Sequence, residues 1–176
     1  SEVESLILEM NLIKNHLPKY NIKLVDDASY PYILLTNERY PRLLVVREKI
    51  NKKKGKYFGP YPSASAARKT VLLLNKIYPF RKCATIPKKE CLYYHIGQCL
   101  APCIKKDVDY TRECERVIKF LKGDTKEVIS SLEAKMLEAS SKLEFEKAFE
   151  YKNLIDDVRI VSEKQIITSL DFEAKD

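Results

Sequence analysis

Four cysteines lie close together in the sequence and are the side chains best suited to bind a metal. Cys83, Cys91, Cys99 and Cys103 fall within 21 residues, with seven, seven and three residues between them. In a reducing compartment such thiols seldom form structural disulfides, and thiolates can instead bind an iron–sulfur cluster or a zinc ion. The spacing lacks the paired Cys-x2-Cys of zinc ribbons. It therefore favours an iron–sulfur cluster over zinc, with buried free thiols as the third alternative.

The cysteines are predicted to lie in a loop, because residues 81–105 show little regular periodicity. A bound metal would give this segment a crosslink that a small core cannot supply. His95 could replace one thiol in a zinc site, although an ordinary polar side chain is the more common role. Four apolar residues near the thiols are expected to shield the bound group from water: Leu92, Ile96, Leu100 and Ile104.

Positive charge is concentrated in one part of the chain. Residues 42–89 contain 14 Lys or Arg and one acidic residue, Glu48, whereas residues 128–176 contain 7 basic and 11 acidic residues. Lysines attract phosphates without base specificity, and neighbouring aromatic rings can either stack on unpaired bases or fill the core. The candidate DNA-binding residues are Arg47, Lys52, Lys53, Lys54, Lys56, Tyr57, Arg68 and Lys69.

The elements that position these groups are predicted to form an α+β fold that is mostly helical. Strands are expected at 21–25 and 32–36, and a β-hairpin is expected from strands at 42–47 and 56–58. The turn-forming run Asn51–Gly55 would join the two strands of that hairpin. Helices are predicted over residues 2–15, 65–77, 109–121, 124–140 and 144–167.

The residues at the ends and on the faces of the predicted helices indicate what these helices could bind. Ser63 or Ser65 could cap the helix at 65–77, and the free amides of its first turn could hold a phosphate. Gly123 is expected to end the helix at 109–121. The next two helices are amphipathic and should form an antiparallel hairpin. Its uncovered apolar surface would meet either the rest of the chain or an outside partner, and the change in charge favours a partner.

No apolar run approaches the ~18 residues of a membrane span, and no signal peptide is visible. A cytoplasmic protein without membrane contact is therefore expected. Ser1 and Glu4 have the residue types and spacing of a capping box at the start of the helix predicted over residues 2–15. This start indicates a fragment of a longer protein.

Several runs of residues resemble one family. Residues 56–61 (KYFGPY), 74–79 (LNKIYP) and 91–103 (CLYYHIGQCLAPC) are similar to the central region of UvrC, a subunit of the bacterial nucleotide-excision-repair nuclease. Residues 143–148 (LEFEKA) resemble the core of a UVR motif, through which UvrC and UvrB bind each other. Residues 1–30 resemble the last part of a GIY-YIG nuclease domain.

The resemblance implies a division of the chain and a set of partners. UvrB would bind the helical hairpin through Phe145, Ala148, Phe149 and Ile155, and damaged double-stranded DNA would bind the basic region. The parent protein would then incise DNA on both sides of a lesion. The expected segments are a GIY-YIG remnant at 1–30, a basic β-hairpin and helix region at 31–80, a cysteine-rich region at 81–123, a UVR hairpin at 124–167 and a tail at 168–176.

The resemblance also implies cofactors. Cys83, Cys91, Cys99 and Cys103 match the cysteines that the family uses for an iron–sulfur cluster, expected to be of the 4Fe-4S type. Glu9 matches the glutamate that binds Mg²⁺ or Mn²⁺ in the complete nuclease domain. The strands that carry the family's catalytic tyrosine and arginine are not found before Ser1, so this piece alone is not expected to cut DNA.

Two other functions remain open from the sequence. UVR-type hairpins also occur in non-enzymatic adaptors of stress proteases, which combine them with Cys-x2-Cys pairs that this chain lacks. A nucleic-acid-binding module with a zinc site is the second alternative.

Overall fold

The computed structural model of the chain describes residues 4–5, 7–8 and 30–173, with side chains described as far as residue 163. The chain divides into two compact units, Ser1–Val117 and Ile118–Asp176. Residues 4–5 and 7–8 are helical, and the predicted strand at 21–25 lies outside the described residues. The elements of residues 30–173 are β1 (Tyr32–Thr36), β2 (Leu43–Val46), β3 (Gly55–Phe58), α1 (Ala64–Ile77), α2 (Leu92–His95), α3 (Thr111–Leu121), α4 (Lys126–Ser141) and α5 (Phe145–Glu173).

The sheet of the first unit has the strand order β2-β1-β3, and both pairings are antiparallel. The predicted hairpin between β2 and β3 is therefore wrong, because each of these strands pairs with β1 instead. All five residues of β1 are buried, whereas β2 and β3 are mostly half-buried. A strand buried on both faces is suited to the centre of a sheet, and the half-buried strands are suited to its edges.

Helix α1 packs against β1 and β2 through the face that carries Ala67, Thr70, Leu73 and Leu74. Ser63 is its N-cap, with its Oγ accepting a hydrogen bond from the amide of Ala66 at 3.1 Å. Tyr78 ends the helix in an extended conformation, and Pro79 follows it. The cap and the end of this helix agree with the sequence prediction.

The second unit contains the predicted helical hairpin. Helices α4 and α5 pack along each other, and residues 142–144 connect them. Cross-helix contacts run in antiparallel order, with Arg159 and Glu133 3.4 Å apart and the hydroxyls of Thr125 and Ser162 3.2 Å apart. Within the described residues, no helix has the length and apolar character needed to cross a membrane.

Candidate functional site

The cysteine segment, residues 81–106, begins at a buried arginine that joins it to the connection between β1 and β2. Arg81 is 5% exposed. Its Nε donates to the carbonyl of Tyr40 at 2.6 Å, and its NH1 donates to the carbonyls of Cys83 at 2.5 Å and Ala84 at 3.1 Å. Its NH2 lies 3.1 Å from Glu38 Oε1. The planar guanidinium therefore fixes the start of the cysteine segment to the sheet.

Glu38 receives hydrogen bonds from two further side chains. Thr36 Oγ1 donates to Glu38 Oε2 at 2.7 Å, and Arg42 Nε donates to the same oxygen at 3.1 Å. Partial burial opposes ionisation of Glu38, but these two hydrogen bonds and the charges of Arg81 and Arg42 outweigh it, so its pKa is lowered. Glu38 is therefore an ionised partner for Arg81 at neutral pH.

The far end of the cysteine segment is joined to the same connection. The hydroxyl of Tyr40 donates to the carbonyl of Lys106 at 2.8 Å, and Arg39 donates to it at 3.2 Å. Beneath the segment, the ring of Tyr110 stacks on Phe80 with centroids 5.8 Å apart, and it meets the Tyr40 ring edge-on at 6.3 Å. These contacts give the cysteine segment a defined conformation, although its regular secondary structure is limited to the short helix α2.

A half-buried lysine, Lys82, interacts electrostatically with three of the four thiols. Lys82 Nζ donates to the carbonyls of Phe80 and Gln98. Burial lowers the pKa of Lys82, and the nearby sulfurs of Cys99, Cys91 and Cys83 act in the opposite direction. Burial likewise raises the pKa of Cys99. Three of the predicted ligands therefore act electrostatically on one ammonium group.

The structure does not assemble a closed site for a single metal ion. In the described part of the chain, no three His, Cys, Asp or Glu side chains are grouped so that one ion could bind. The cysteines are free thiols, of which Cys91 is exposed and the other predicted ligands are half-buried. The predicted shielding is also not observed, because Leu92, Ile96 and Ile104 are exposed. His95 lies 3.6 Å from Glu90 and is exposed.

Two features of the surroundings nevertheless fit a larger, negatively charged group held by sulfur. The ammonium of Lys82 supplies positive charge beside Cys83, Cys91 and Cys99. The hydroxyl of Tyr110 is buried without a hydrogen-bond partner, and Cys99 and Cys83 contribute to its electrostatic environment. A multinuclear cluster is wider than a single ion, so its cysteine ligands need not converge as closely as those of zinc.

The basic region, residues 42–89, is less uniformly exposed than its charge indicates. Four of its cations are bonded within the fold, namely Arg42, Lys54, Arg81 and Lys82. The other ten are exposed, and these are Arg47, Lys49, Lys52, Lys53, Lys56, Arg68, Lys69, Lys76, Lys88 and Lys89. The exposed set contains six of the eight residues predicted to contact DNA, and the two exceptions are Lys54 and Tyr57.

Both Lys54 and Tyr57 are bonded to the carboxylate of Glu48. Lys54 Nζ lies 2.7 Å from Glu48 Oε2, and the hydroxyl of Tyr57 donates to Glu48 Oε1 at 2.9 Å. The hydrogen bonds from Lys54 and Tyr57 lower the pKa of Glu48, which keeps it ionised. The Tyr57 ring also packs edge-on against Tyr32, with centroids 6.4 Å apart. Tyr57 is thus part of the packing of the first unit, which was the alternative to base stacking.

The hairpin exposes some of the predicted partner residues and buries another. Phe145 and Phe149 are 65% and 61% exposed, although both are large and apolar. They are one helical turn apart, so they lie on the same face of α5. Ala148 is half-buried. Ile155 is 4% exposed, and its side chain therefore lies in the interior of the hairpin rather than on its surface.

Sequence reasoning missed Arg81, Glu38 and Tyr110, which hold or face the cysteine segment. No local pattern distinguishes Arg81 from the other cations of the basic region. Glu9, the residue matched to a nuclease metal ligand, lies outside the described residues. Its placement therefore stays a prediction.

Comparison with known proteins agrees with the two-part organisation. Residues 30–120 match the family described as the UvrC/Cho excinuclease middle domain, and residues 126–159 match the UvrB/uvrC motif. The whole chain is 54% identical to the UvrABC system protein C of Desulfitobacterium hafniense (strain Y51), and it spans 29% of the length of that relative. No solved structure matches the chain. The chain therefore belongs to the UvrC family and contains its middle domain followed by a UVR motif.

Proposed function

We propose that this chain is the part of a UvrC-type repair nuclease subunit that binds both UvrB and DNA. The observation that carries the proposal is the exposed apolar end of the helical hairpin, here named the docking tip and formed by Leu143, Phe145 and Phe149. Their exposed fractions are 72%, 65% and 61%. Contiguous exposed apolar side chains of this size are typical of a protein-binding surface. The UVR-motif match supports UvrB as the partner.

The backbone at Leu143 supports a binding role for the tip. Gly123 follows the end of helix α3 at φ 97°, and the amide of Asp124 donates to the carbonyl of Lys119 at 3.0 Å. Helix α4 ends in the same hydrogen-bond pattern, but Leu143 occupies the glycine position at φ 60°. A leucine here costs conformational energy and leaves an apolar side chain in water. Folding gains nothing from it, whereas a bound partner would cover it.

Replacing Phe145 with alanine is expected to weaken UvrB binding about 30-fold, or about 2 kcal/mol, as removal of a central aromatic contact usually does. Because Phe145 is 65% exposed in the free chain, the hairpin itself should unfold at an unchanged temperature. Titration calorimetry with purified UvrB gives the affinity, and circular dichroism gives the unfolding temperature.

Two control variants separate binding from folding. Ile160→Ala removes an apolar side chain that is 52% exposed on the same helix but outside the tip, and it should leave the affinity unchanged. Leu143→Gly should weaken UvrB binding and yet stabilise the hairpin by about 1 kcal/mol, because glycine adopts a positive φ without strain. Unchanged affinity in both Phe145→Ala and Leu143→Gly would contradict the proposed docking tip.

The proposed DNA contact rests on the ten exposed cations of the basic region. Lys52 and Lys53 are exposed in the turn before β3, where the Lys54 amide donates to the carbonyl of Asn51 at 2.9 Å. This turn presents positive charge on a fixed backbone. Such lysines bind phosphates through charge and carry no base specificity, which suits a protein that must act at lesions in any sequence.

Reversing both charges, in Lys52→Glu with Lys53→Glu, is expected to weaken duplex binding and make its salt dependence shallower. The logarithmic salt slope should fall by about 2, one for each lost phosphate contact. Fluorescence anisotropy at several salt concentrations measures both quantities. The matched control is Lys135→Glu with Lys152→Glu, which changes the net charge equally in the second unit. Equal effects of the two pairs would contradict a specific contact in the turn.

We also propose that Cys83, Cys91, Cys99 and Cys103 hold an iron–sulfur cluster, with zinc as the alternative. The donor chemistry, the ammonium of Lys82 and the unpaired hydroxyl of Tyr110 support the cluster. When bound, the cluster would crosslink the cysteine segment. Iron and inorganic sulfide analysis of anaerobically purified protein tests this, and stoichiometric zinc without iron would contradict it.

In the complete protein this region would connect UvrB and DNA to the nuclease activity, which would cut on both sides of a lesion in the bacterial cytoplasm. Glu9 would contribute a ligand for Mg²⁺ or Mn²⁺ in the complete nuclease domain. The protease-adaptor function is not favoured, since the middle-domain match covers residues 30–120. Retention of the chain by UvrB and not by a protease chaperone would separate the two functions.

A further inference from the structure

Helix α2 presents large apolar side chains to solvent in the middle of the cysteine segment. Leu92, Tyr93 and Ile96 are 69%, 44% and 51% exposed. The amide of Ile96 donates to the carbonyl of Leu92 at 3.0 Å, and the two side chains, one helical turn apart, are neighbours on one face. Grouped apolar residues with this exposure are typical of a binding surface. These three residues are here named the α2 patch, and the proposed duplex contact makes no use of them.

The backbone of the α2 patch is fixed by the way in which the helix ends. The amide of Gln98 donates to the carbonyl of Tyr93 at 2.7 Å, and the amide of Gly97 donates to the carbonyl of Tyr94 at 3.0 Å. With Gly97 at φ 74°, these two bonds form the usual glycine-dependent helix end. The patch therefore lies on a defined backbone, and a ligand that binds it would have little chain to order.

The ring of Tyr93 is held on one side by a cation. Lys82 Nζ lies over this ring, 5.0 Å from its centroid. The same ammonium donates to the carbonyls of Phe80, at 2.9 Å, and Gln98. Because Lys82 is half-buried and bonded within the fold, it fixes the ring in place. The exposed part of Tyr93 leaves ring surface open to a flat ligand.

The surroundings of the α2 patch are positively charged. The cysteine segment contains six basic residues and one acidic residue. Lys105 Nζ lies 4.9 Å from the centroid of the Tyr94 ring, which places this cation beside α2. The acidic residue, Glu90, lies 3.6 Å from His95. The exposed lysines of the segment are Lys88, Lys89, Lys105 and Lys106. An apolar and aromatic patch within positive charge is complementary to a ligand that combines flat apolar faces with negative charge, as an unpaired nucleotide does.

We infer that the α2 patch binds an unpaired base of a DNA strand, with the base stacked on the ring of Tyr93 and the exposed lysines of the segment bound to flanking phosphates. Aromatic rings beside cations bind single strands in this way without base specificity. The inference rests on the proposal that the chain binds DNA, but its residues and its ligand differ from those of the duplex contact at Lys52 and Lys53. It requires no group bound to the cysteines.

The test compares two DNA duplexes of equal length, one fully paired and one with a central loop of unpaired bases. Fluorescence anisotropy gives the affinity of the whole chain for each, and the wild type should bind the looped duplex more tightly. Tyr93→Ala should bind the looped duplex about tenfold more weakly, as loss of one stacking ring usually causes, with its affinity for the paired duplex unchanged. Tyr93→Phe retains the ring and should retain the preference.

The matched control is Leu72→Ala, because Leu72 is 62% exposed on α1 in the same unit but lies outside the patch. It should leave both affinities unchanged, whereas Leu92→Ala should weaken binding to the looped duplex alone. All these side chains are exposed, so each variant should unfold at the wild-type temperature in circular dichroism.

Two negative results have different consequences. A wild-type chain that binds neither duplex would overturn the proposed DNA contact and this inference together. Binding to the paired duplex without a preference for unpaired bases would overturn this inference alone. The same holds for a preference that Tyr93→Ala leaves intact, or that Tyr93→Ala and Leu72→Ala reduce equally.

Discussion

Replacing Arg81 with methionine is expected to lower the free energy of unfolding of the first unit by about 3 kcal/mol, roughly 1 kcal/mol for each of the three hydrogen bonds that the buried guanidinium donates to backbone carbonyls. The cost arises because the carbonyls of Tyr40, Cys83 and Ala84 lose their donor in partly buried hydrogen bonds. Methionine fills a similar volume but provides no hydrogen bond. The cysteine segment would then lose its connection to the sheet.

Tyrosine fluorescence during urea unfolding measures this effect in the whole chain. The sequence has 11 tyrosines and no tryptophan, and Tyr151 is the one tyrosine after residue 117. The signal therefore reports mainly on the first unit. Arg42→Met is the matched control, because Arg42 pairs with the same carboxylate from a more exposed position, and it should cost about 1 kcal/mol or less. Equal losses of unfolding free energy in Arg81→Met and Arg42→Met would show that the burial of Arg81 adds nothing to stability.

The ion pair also predicts how stability depends on pH. The pKa of Glu38 is lowered from its ordinary value of 4.5 in the folded chain, because its hydrogen bonds and neighbouring arginines outweigh partial burial. A carboxyl with a lowered folded pKa contributes stability above the unfolded pKa and loses it as the pH falls through the folded pKa. Between about pH 6 and about pH 3, the wild type should therefore lose more stability than Arg81→Met, in which one of these charges is absent.

Local sequence patterns predicted the elements of this fold but not their pairing. The expected strand at 42–47 and helix at 124–140 correspond to Leu43–Val46 and Lys126–Ser141, because periodicity, capping residues and glycines act within a few residues. The partner of a strand depends on distant residues instead. Asn51–Gly55 has the composition of a hairpin turn, yet β3 pairs with β1. The continuous apolar run of β1 was the available sign of a central strand.

The residues of the candidate sites were likewise predictable from the sequence only in part. The exposed phenylalanines of the hairpin were predictable, since an isolated pair of amphipathic helices cannot cover its whole apolar surface. The basic region was predictable as a charge but not residue by residue, because a count of cations does not distinguish the exposed Lys52 from the buried Arg81. Tyr110 gave no signal in the sequence. Its importance depends on an unpaired oxygen, which only the packed structure defines.

Replacing Gly55 with alanine is expected to destabilise the first unit by about 3 kcal/mol, from backbone strain and overpacking together. Gly55 has φ 149° and pairs with Thr36 at the start of β3. A Cβ at this position would lie 2.0 Å from the carbonyl oxygen of Leu35. That oxygen belongs to the central strand, which is buried and paired on both sides, so it cannot move without disturbing the sheet.

Gly97→Ala separates the two causes, because Gly97 has φ 74° but a Cβ there would meet nothing within 4 Å. This control should cost about 1 kcal/mol, from backbone strain alone. The difference between the two variants in urea unfolding measures the steric contribution of the close approach to Leu35. Gly55 also directly follows the turn that carries Lys52 and Lys53, so Gly55→Ala should weaken duplex binding while Gly97→Ala should not. If Gly55→Ala and Gly97→Ala lost equal stability, the cost would come from backbone conformation alone. Close packing of β3 on β1 would then not be what positions the basic turn.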